Sequence, residues 1–143
     1  MSQQSQRLSR PAREVLELFL SSSDAETVQA TERCENLSEG DAATVFKSLS
    51  DRVRRAEDQE ETEETLDVLL KLAEKREELL GEAVAFLGSM SVESIPIKIP
   101  LRLHRITDGT PVEENAYALM IEWGNSSRPS LAQAANTMLE KRT

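Results

Sequence analysis

Between Ala42 and Val53 the apolar side chains fall at i, i+3, i+4, i+7 and i+11: Ala42, Val45, Phe46, Leu49 and Val53. A helix of 3.6 residues per turn gathers these five into one stripe, whereas a strand would scatter them over both faces. The period returns at Val15, Leu16, Phe19 and Leu20, and again at Leu66, Leu70, Ala73, Leu80, Val84 and Leu87, where Glu77 interrupts the seam. An amphipathic helix has to bury its stripe against another. Residues 10–90 are therefore expected to form a helical domain, with the third and fourth helices folded back as a hairpin at its centre. Residues 1–9 are rich in Ser and Gln and are expected to be a flexible N-terminus.

Start signals support this division. Pro11 sits where a first helical turn tolerates it. Ser23 and Glu26 have the spacing of a capping box, in which each side chain answers the other residue's backbone N–H. Val28, Thr31 and Cys34 are expected on the inner face of the helix that follows, with Leu37 closing it. Ser38 and Asp41 repeat the start signal. The run from Glu57 to Glu64 reads as an acidic connector or as the first turn of the fourth helix, where carboxylates favour the macrodipole.

After Ser91 the period changes. Ile95, Ile97, Ile99, Leu101 and Leu103 alternate with Pro96, Lys98, Pro100, Arg102 and His104. Alternation predicts extended backbone with one apolar face and one polar face. Pro96 and Pro100 lack a backbone N–H, so the segment is expected to be an edge strand or a polyproline-like arm. Residues 91–143 then form an arm plus two C-terminal helices, packed on the helical domain. Val112, Ala116, Leu119, Met120 and Trp123 share a helical face behind Thr110, Pro111 and Glu113 and before Gly124. Tyr117, Leu119, Ile121 and Trp123 also alternate, so a hairpin across Asp108-Gly109 is the rival; the helix is the favoured reading. Leu131, Ala134, Ala135, Met138 and Leu139 mark the inner face of the last helix.

The formal net charge is -9, and residues 51–90 hold twelve acidic groups against six basic ones. That field repels phosphate backbones and anionic lipid, so neither nucleic acid nor membrane is expected as a partner. One cysteine permits no internal disulfide. The N-terminus holds no apolar stretch resembling a secretion signal, and no apolar run approaches a spanning length of roughly 20 residues. A cytoplasmic protein is expected.

Reactive groups are scarce. His104, the one histidine, is flanked by Arg102 and Arg105. With Lys98 and Arg102 it is a candidate anion-binding strip on the polar face of the arm; the plainer reading is a solvated strand face. Cys34 stands among Glu32, Arg33 and Glu35 in the phase of a buried small hydrophobe. The acidic run Glu57, Asp58, Glu60, Glu61, Glu63 and Glu64 lacks the glycine a calcium loop turns on. Arg52, Arg54 and Arg55 form a basic knot that i,i+4 pairing with the acids behind them would explain. One Cys and one His make no zinc tetrahedron. The phosphate-binding glycine motifs and the nucleophile elbow are absent. No cofactor and no enzymatic activity are expected.

The residues Phe19-Leu20, Glu26-Thr27, Glu35-Asn36-Leu37 and the pair Phe46–Val53 with Leu66–Leu80 carry a resemblance. From residue 15 to residue 80 the chain resembles a helical region of large bacterial proteins that combine tetratricopeptide repeats with a caspase-like CHAT domain. The resemblance implies a helical docking segment associated with signalling or defence. The His/Cys dyad of the peptidase does not carry over, because the motifs around it are missing.

The expected fold is mainly α. The expected function is non-catalytic: an adaptor, docking or regulatory module that binds another protein through an apolar groove or helix face ringed by acids. Trp123, Met120, Ile97, Ile99 and Leu101 are the candidate contacts. Trp is enriched at binding hot spots, and it is also the largest core filler in an aromatic-poor chain. The alternative is a structural protein that homodimerises through a coiled-coil-like Leu66–Leu87 helix.

Overall fold

Serine and aspartate side chains start four helices in the first half of the chain. In the computed structural model, which describes residues 8–21 and 23–142, Ser9 accepts from the Ala12 N–H at 3.2 Å and opens α1 (Arg10–Phe19). Ser23 accepts from Glu26 N–H at 3.4 Å and opens α2 (Asp24–Cys34). Ser38 accepts from Asp41 N–H at 3.1 Å at the head of α3 (Glu39–Arg55), and Asp58 from Glu61 N–H at 2.8 Å at the head of α4 (Gln59–Lys75). Each oxygen satisfies a donor that the helix itself leaves orphaned. The box at Ser23 is half formed, because the Ser23 N–H donates to Ser21 Oγ at 3.2 Å in place of Glu26. Residues 1–7 of the expected N-terminus lie outside the described residues.

The second half continues with α5 (Leu80–Ser89), α6 (Ile99–Thr107), α7 (Glu113–Gly124) and α8 (Pro129–Arg142), with single 3-10 turns at Glu77–Leu79 and Val92–Ser94. The described residues thus form eight α-helices and no β-strand. The fold is mainly α, as the periodicity predicts. None of the helices among the described residues is long and apolar enough to cross a membrane.

The extended arm is corrected. Residues 99–107 are helical, with Pro100 in the first turn, where its missing N–H is one the helix leaves unused. Ile95, Ile99, Leu103 and Ile106 are the buried set, and their spacing of four, four and three is helical. Strict alternation upstream had masked that second period. The helix reading of 113–124 holds. Its start differs, since Thr110 Oγ1 donates back to Thr107 O at 2.7 Å and no side chain caps α7.

The chain divides into two compact units, Met1–Leu79 and Leu80–Thr143. The division falls ahead of the change of period at residue 91, shortly after the chain leaves helical geometry at Arg76 (φ -121°, ψ 90°). In the first unit α1 packs on α2 and α3, α2 on α4, and α3 folds back on α4 as the expected hairpin. Phe19, Val45, Phe46, Leu49, Leu66, Leu69, Leu70 and Leu72 fill its core. Val28, expected to face inward, is 57% exposed; Ala30 and Cys34 take the inner face of α2. Ser50 sits in this core with no hydrogen-bond partner for its hydroxyl among the described residues. In the second unit α7 packs on α5, α6 and α8, and α6 packs on α8. Trp123, Met120, Leu103, Ile95 and Leu87 fill that core.

The Leu66–Leu87 seam is corrected too. It is broken into α4, a 3-10 turn and α5, and Leu66, Leu70, Ala73, Leu80, Val84 and Leu87 are all buried within the chain.

Two arginines close the units. In the first, Arg76 Nη1 donates to Cys34 O at 2.8 Å and Leu37 O at 2.6 Å, and Nη2 and Nε donate to Glu78 at 2.7 and 3.0 Å. In the second, Arg128 Nη1 donates to Val92 O at 2.8 Å and to Ile95 O. Each guanidinium bridges two main-chain carbonyls three residues apart, and Cys34 O and Val92 O also accept the backbone N–H of Leu37 at 3.3 Å and of Ile95 at 3.4 Å.

Candidate functional site

The second unit exposes a helix face whose charged residues are all basic. Lys98, Leu101, Arg102 and Arg105 stand at i, i+3, i+4 and i+7 across the entry and body of α6, opposite the buried Ile99, Leu103 and Ile106. That spacing brings four side chains to one stripe. Ile97, in the turn that enters the helix, is 52% exposed, and Leu101 is 38% exposed. From Pro96 to Thr107 the chain carries three basic residues and no acidic one, in a protein of net charge -9. His104 is half-buried at the edge of the stripe.

The candidate residues therefore separate into two groups. Trp123 is 2% exposed, and Met120 and Ile99 are equally hidden, so these three are core residues of the second unit. Ile97 and Leu101 remain accessible. Lys98 and Arg102 remain at the surface, though a helix rather than a strand face aligns them. A strand would have placed the two apolar residues on the side opposite the cations; the helix puts both kinds on one surface. Arg105, which the strand register assigns to the opposite face from Lys98, joins them. The signal that finds it is the i, i+7 distance from Lys98, visible only once the helix is recognised.

The remaining chemical candidates lead elsewhere. Cys34 is fully buried, and its Sγ donates to Thr31 O at 3.0 Å. Burial, with Glu35 adding to it and Arg76 and Lys75 opposing, pushes its thiol up to about 11, so the nucleophilic thiolate is suppressed. No group of three His, Cys, Asp or Glu residues among those described is placed to hold a metal ion. The acidic run supplies the cap of α4, Asp58, and its first-turn acids, Glu60 and Glu61, with Glu63 and Glu64 following within the helix. The basic knot is arranged differently from the expected pairing. Arg54 bonds back to Asp51 at 3.7 Å, and Arg52 and Arg55 form no ion pair among the described residues.

No family model, curated protein or solved structure matches this chain.

Proposed function

We propose that the chain is a non-catalytic protein-interaction module, an adaptor, docking or regulatory protein, whose contact surface is the exposed face of α6. One observation carries this reading: Ile97, in the turn entering α6, and Leu101, on the helix, are open to solvent beside three basic residues, while the other side of the helix is anchored in a core. Covering the exposed parts of these two side chains contributes about 2 kcal/mol each at most. The cations add orientation and partner choice more than affinity. A rigid helix presenting such a stripe suits a groove on another protein. A cytoplasmic setting and a role in signalling or defence, the latter drawn from the resemblance of residues 15–80, belong to the same proposal.

Photo-crosslinking tests it. A benzoyl-phenylalanine placed at position 101 is expected to trap a discrete protein, and the same group at the exposed position 118 on α7 is not. Combining Ile97→Ser with Arg105→Gln is expected to abolish the adduct while leaving the circular dichroism spectrum unchanged. Equal trapping from both positions, or an adduct indifferent to the double variant, removes α6 as the contact surface.

A further inference from the structure

We infer that the first unit carries a second binding site, a two-lobed groove across the C-terminal end of α1, and that its ligand is a peptide segment with an acidic end, a central apolar residue and a basic end. One lobe, of about 260 Å³, lies between α1 and α3 and is lined by Leu16, Leu20, Lys47, Ser48, Arg52 and Arg55. The other, of about 320 Å³, opens toward α2 and α4 and is lined by Leu20, Asp24, Arg52, Glu61, Glu64 and Lys71. Leu20 and Arg52 belong to both linings, so the two lobes adjoin along them.

Their polarities are opposed. In the first lobe the one carboxylate, Asp51, is engaged by Lys47 at 3.6 Å and Arg54 at 3.7 Å, which leaves Arg52 and Arg55 as cations without an ion pair among the described residues. In the second lobe Lys71 is engaged by Asp67 at 3.2 Å, and the carboxylates of Asp24, Glu61 and Glu64 outnumber the shared Arg52. Between them stands Leu20, 37% exposed at the end of a helix whose last residue, Phe19, is buried. Open lobes lined by charged side chains select a chain that lies across them rather than an enclosed apolar ligand. Complementary charge order then fixes its register.

The test uses the full chain and short synthetic peptides, with backbone amide shifts as the readout. The probe is a capped peptide EEALAKK; the control has the same composition with acidic and basic residues interleaved around the Leu. The ordered peptide is expected to shift amides at the end of α1, in residues 47–55 and in residues 61–71, and to bind roughly tenfold more tightly than the control. Exposed pairs weaken binding by roughly two- to fivefold each when lost, so Arg52→Glu, which touches both lobes, is expected to weaken it about tenfold. Leu20→Ser is expected to do the same by removing the apolar step. Three outcomes overturn the inference: equal affinity for ordered and interleaved peptides, shifts confined to other surfaces, or binding unaltered in both variants. The native spectrum of each variant without peptide shows that it is folded. None of these results bears on the α6 surface, which lies in the other unit.

Discussion

Replacing Arg76 with Ala is expected to destabilise the first unit by about 3–5 kcal/mol, a large share of the roughly 5–15 kcal/mol that holds a domain together. The Arg76 side chain is 11% exposed and gives two hydrogen bonds to main-chain oxygens, those of Cys34 and Leu37 at the end of α2. A hydrogen bond from a charged donor is worth about 1.5–3 kcal/mol net, and its loss leaves Leu37 O in a partly dry site, whereas Cys34 O keeps the Leu37 N–H at 3.3 Å. The ion pair with Glu78 adds little, because Glu78 is 39% exposed and water screens it. Arg76→Lys keeps the charge without the planar fork, so one ammonium cannot serve both carbonyls and Glu78. It is expected to lose about half as much, and Glu78→Gln under about 1 kcal/mol. Urea unfolding followed by far-ultraviolet circular dichroism reads these differences as midpoint shifts at constant slope. Trp123 and Tyr117 both lie in Leu80–Thr143, so their fluorescence follows the second unit. If Arg76→Ala falls within about 1 kcal/mol of the parent, or Glu78→Gln costs as much as Arg76→Ala, carbonyl capping is not what holds the first unit's end.

Ser50→Ala is expected to raise stability by about 1 kcal/mol, since it removes a buried hydroxyl that has no partner and improves helix propensity; a lower melting temperature would show that the hydroxyl is satisfied in solution. Cys34 is expected to react with a disulfide reagent at pH 8 at least about a hundredfold more slowly in the folded chain than in urea, and its raised folded value means the unfolded thiol ionises first. Stability is therefore lost as pH climbs from 9.0 towards about 11, a decline that Cys34→Ala flattens. The hydrogen bond from Arg76 holds the Glu78 carboxyl below its ordinary range, so its small contribution is present above that range and lost as pH falls through it, and Glu78→Gln is expected to remove that part of the acid limb of a stability profile. Gly40→Ala, in the first turn of α3 with open space around the added Cβ, is expected to gain about 0.4–1 kcal/mol, whereas Gly109→Ala, at φ 77°, is expected to lose about 1 kcal/mol by the same thermal melt.

The parts of the fold that the sequence shows are those fixed by neighbours a few residues apart. The stripe Ala42 to Val53, the caps at Ser23 and Ser38, and the hairpin of α3 on α4 all follow from i to i+4 relations, and all are present. The two arginine clamps were hidden for the opposite reason. Arg76 reaches carbonyls 42 and 39 residues away, and Arg128 reaches others 36 and 33 residues away. A main-chain oxygen carries no residue identity, so no pattern of side chains announces such a bond. The break of the Leu66–Leu87 seam belongs with these. Glu77 marks an irregular position in the heptads, but the departure from helical geometry falls one residue earlier, at Arg76, whose side chain bonds to distant carbonyls.

The candidate surface on α6 shows a different kind of partial legibility: Ile97, Leu101, Lys98 and Arg102 stand at the surface, Trp123, Met120 and Ile99 do not, and the backbone that carries them is helical rather than extended. Ile95 through Leu103 satisfy period two at every position, and three of them, Ile95, Ile99 and Leu103, satisfy period four equally well. Periodicity alone cannot decide between these, and length arbitrates only when the neighbours are included. Ile106 and Thr107 are buried one turn further on, where alternation has already failed, and Pro100 is better suited to a first helical turn than to a strand. The choice of backbone then decides what the surface can do. On a strand, Lys98 and Arg102 would face one way and Ile97 and Leu101 the other, so an apolar partner and an anionic partner could be served separately. On the helix one ligand has to satisfy both, which makes a mixed surface with acidic and apolar groups in register the natural complement and makes a bare anion a poor one.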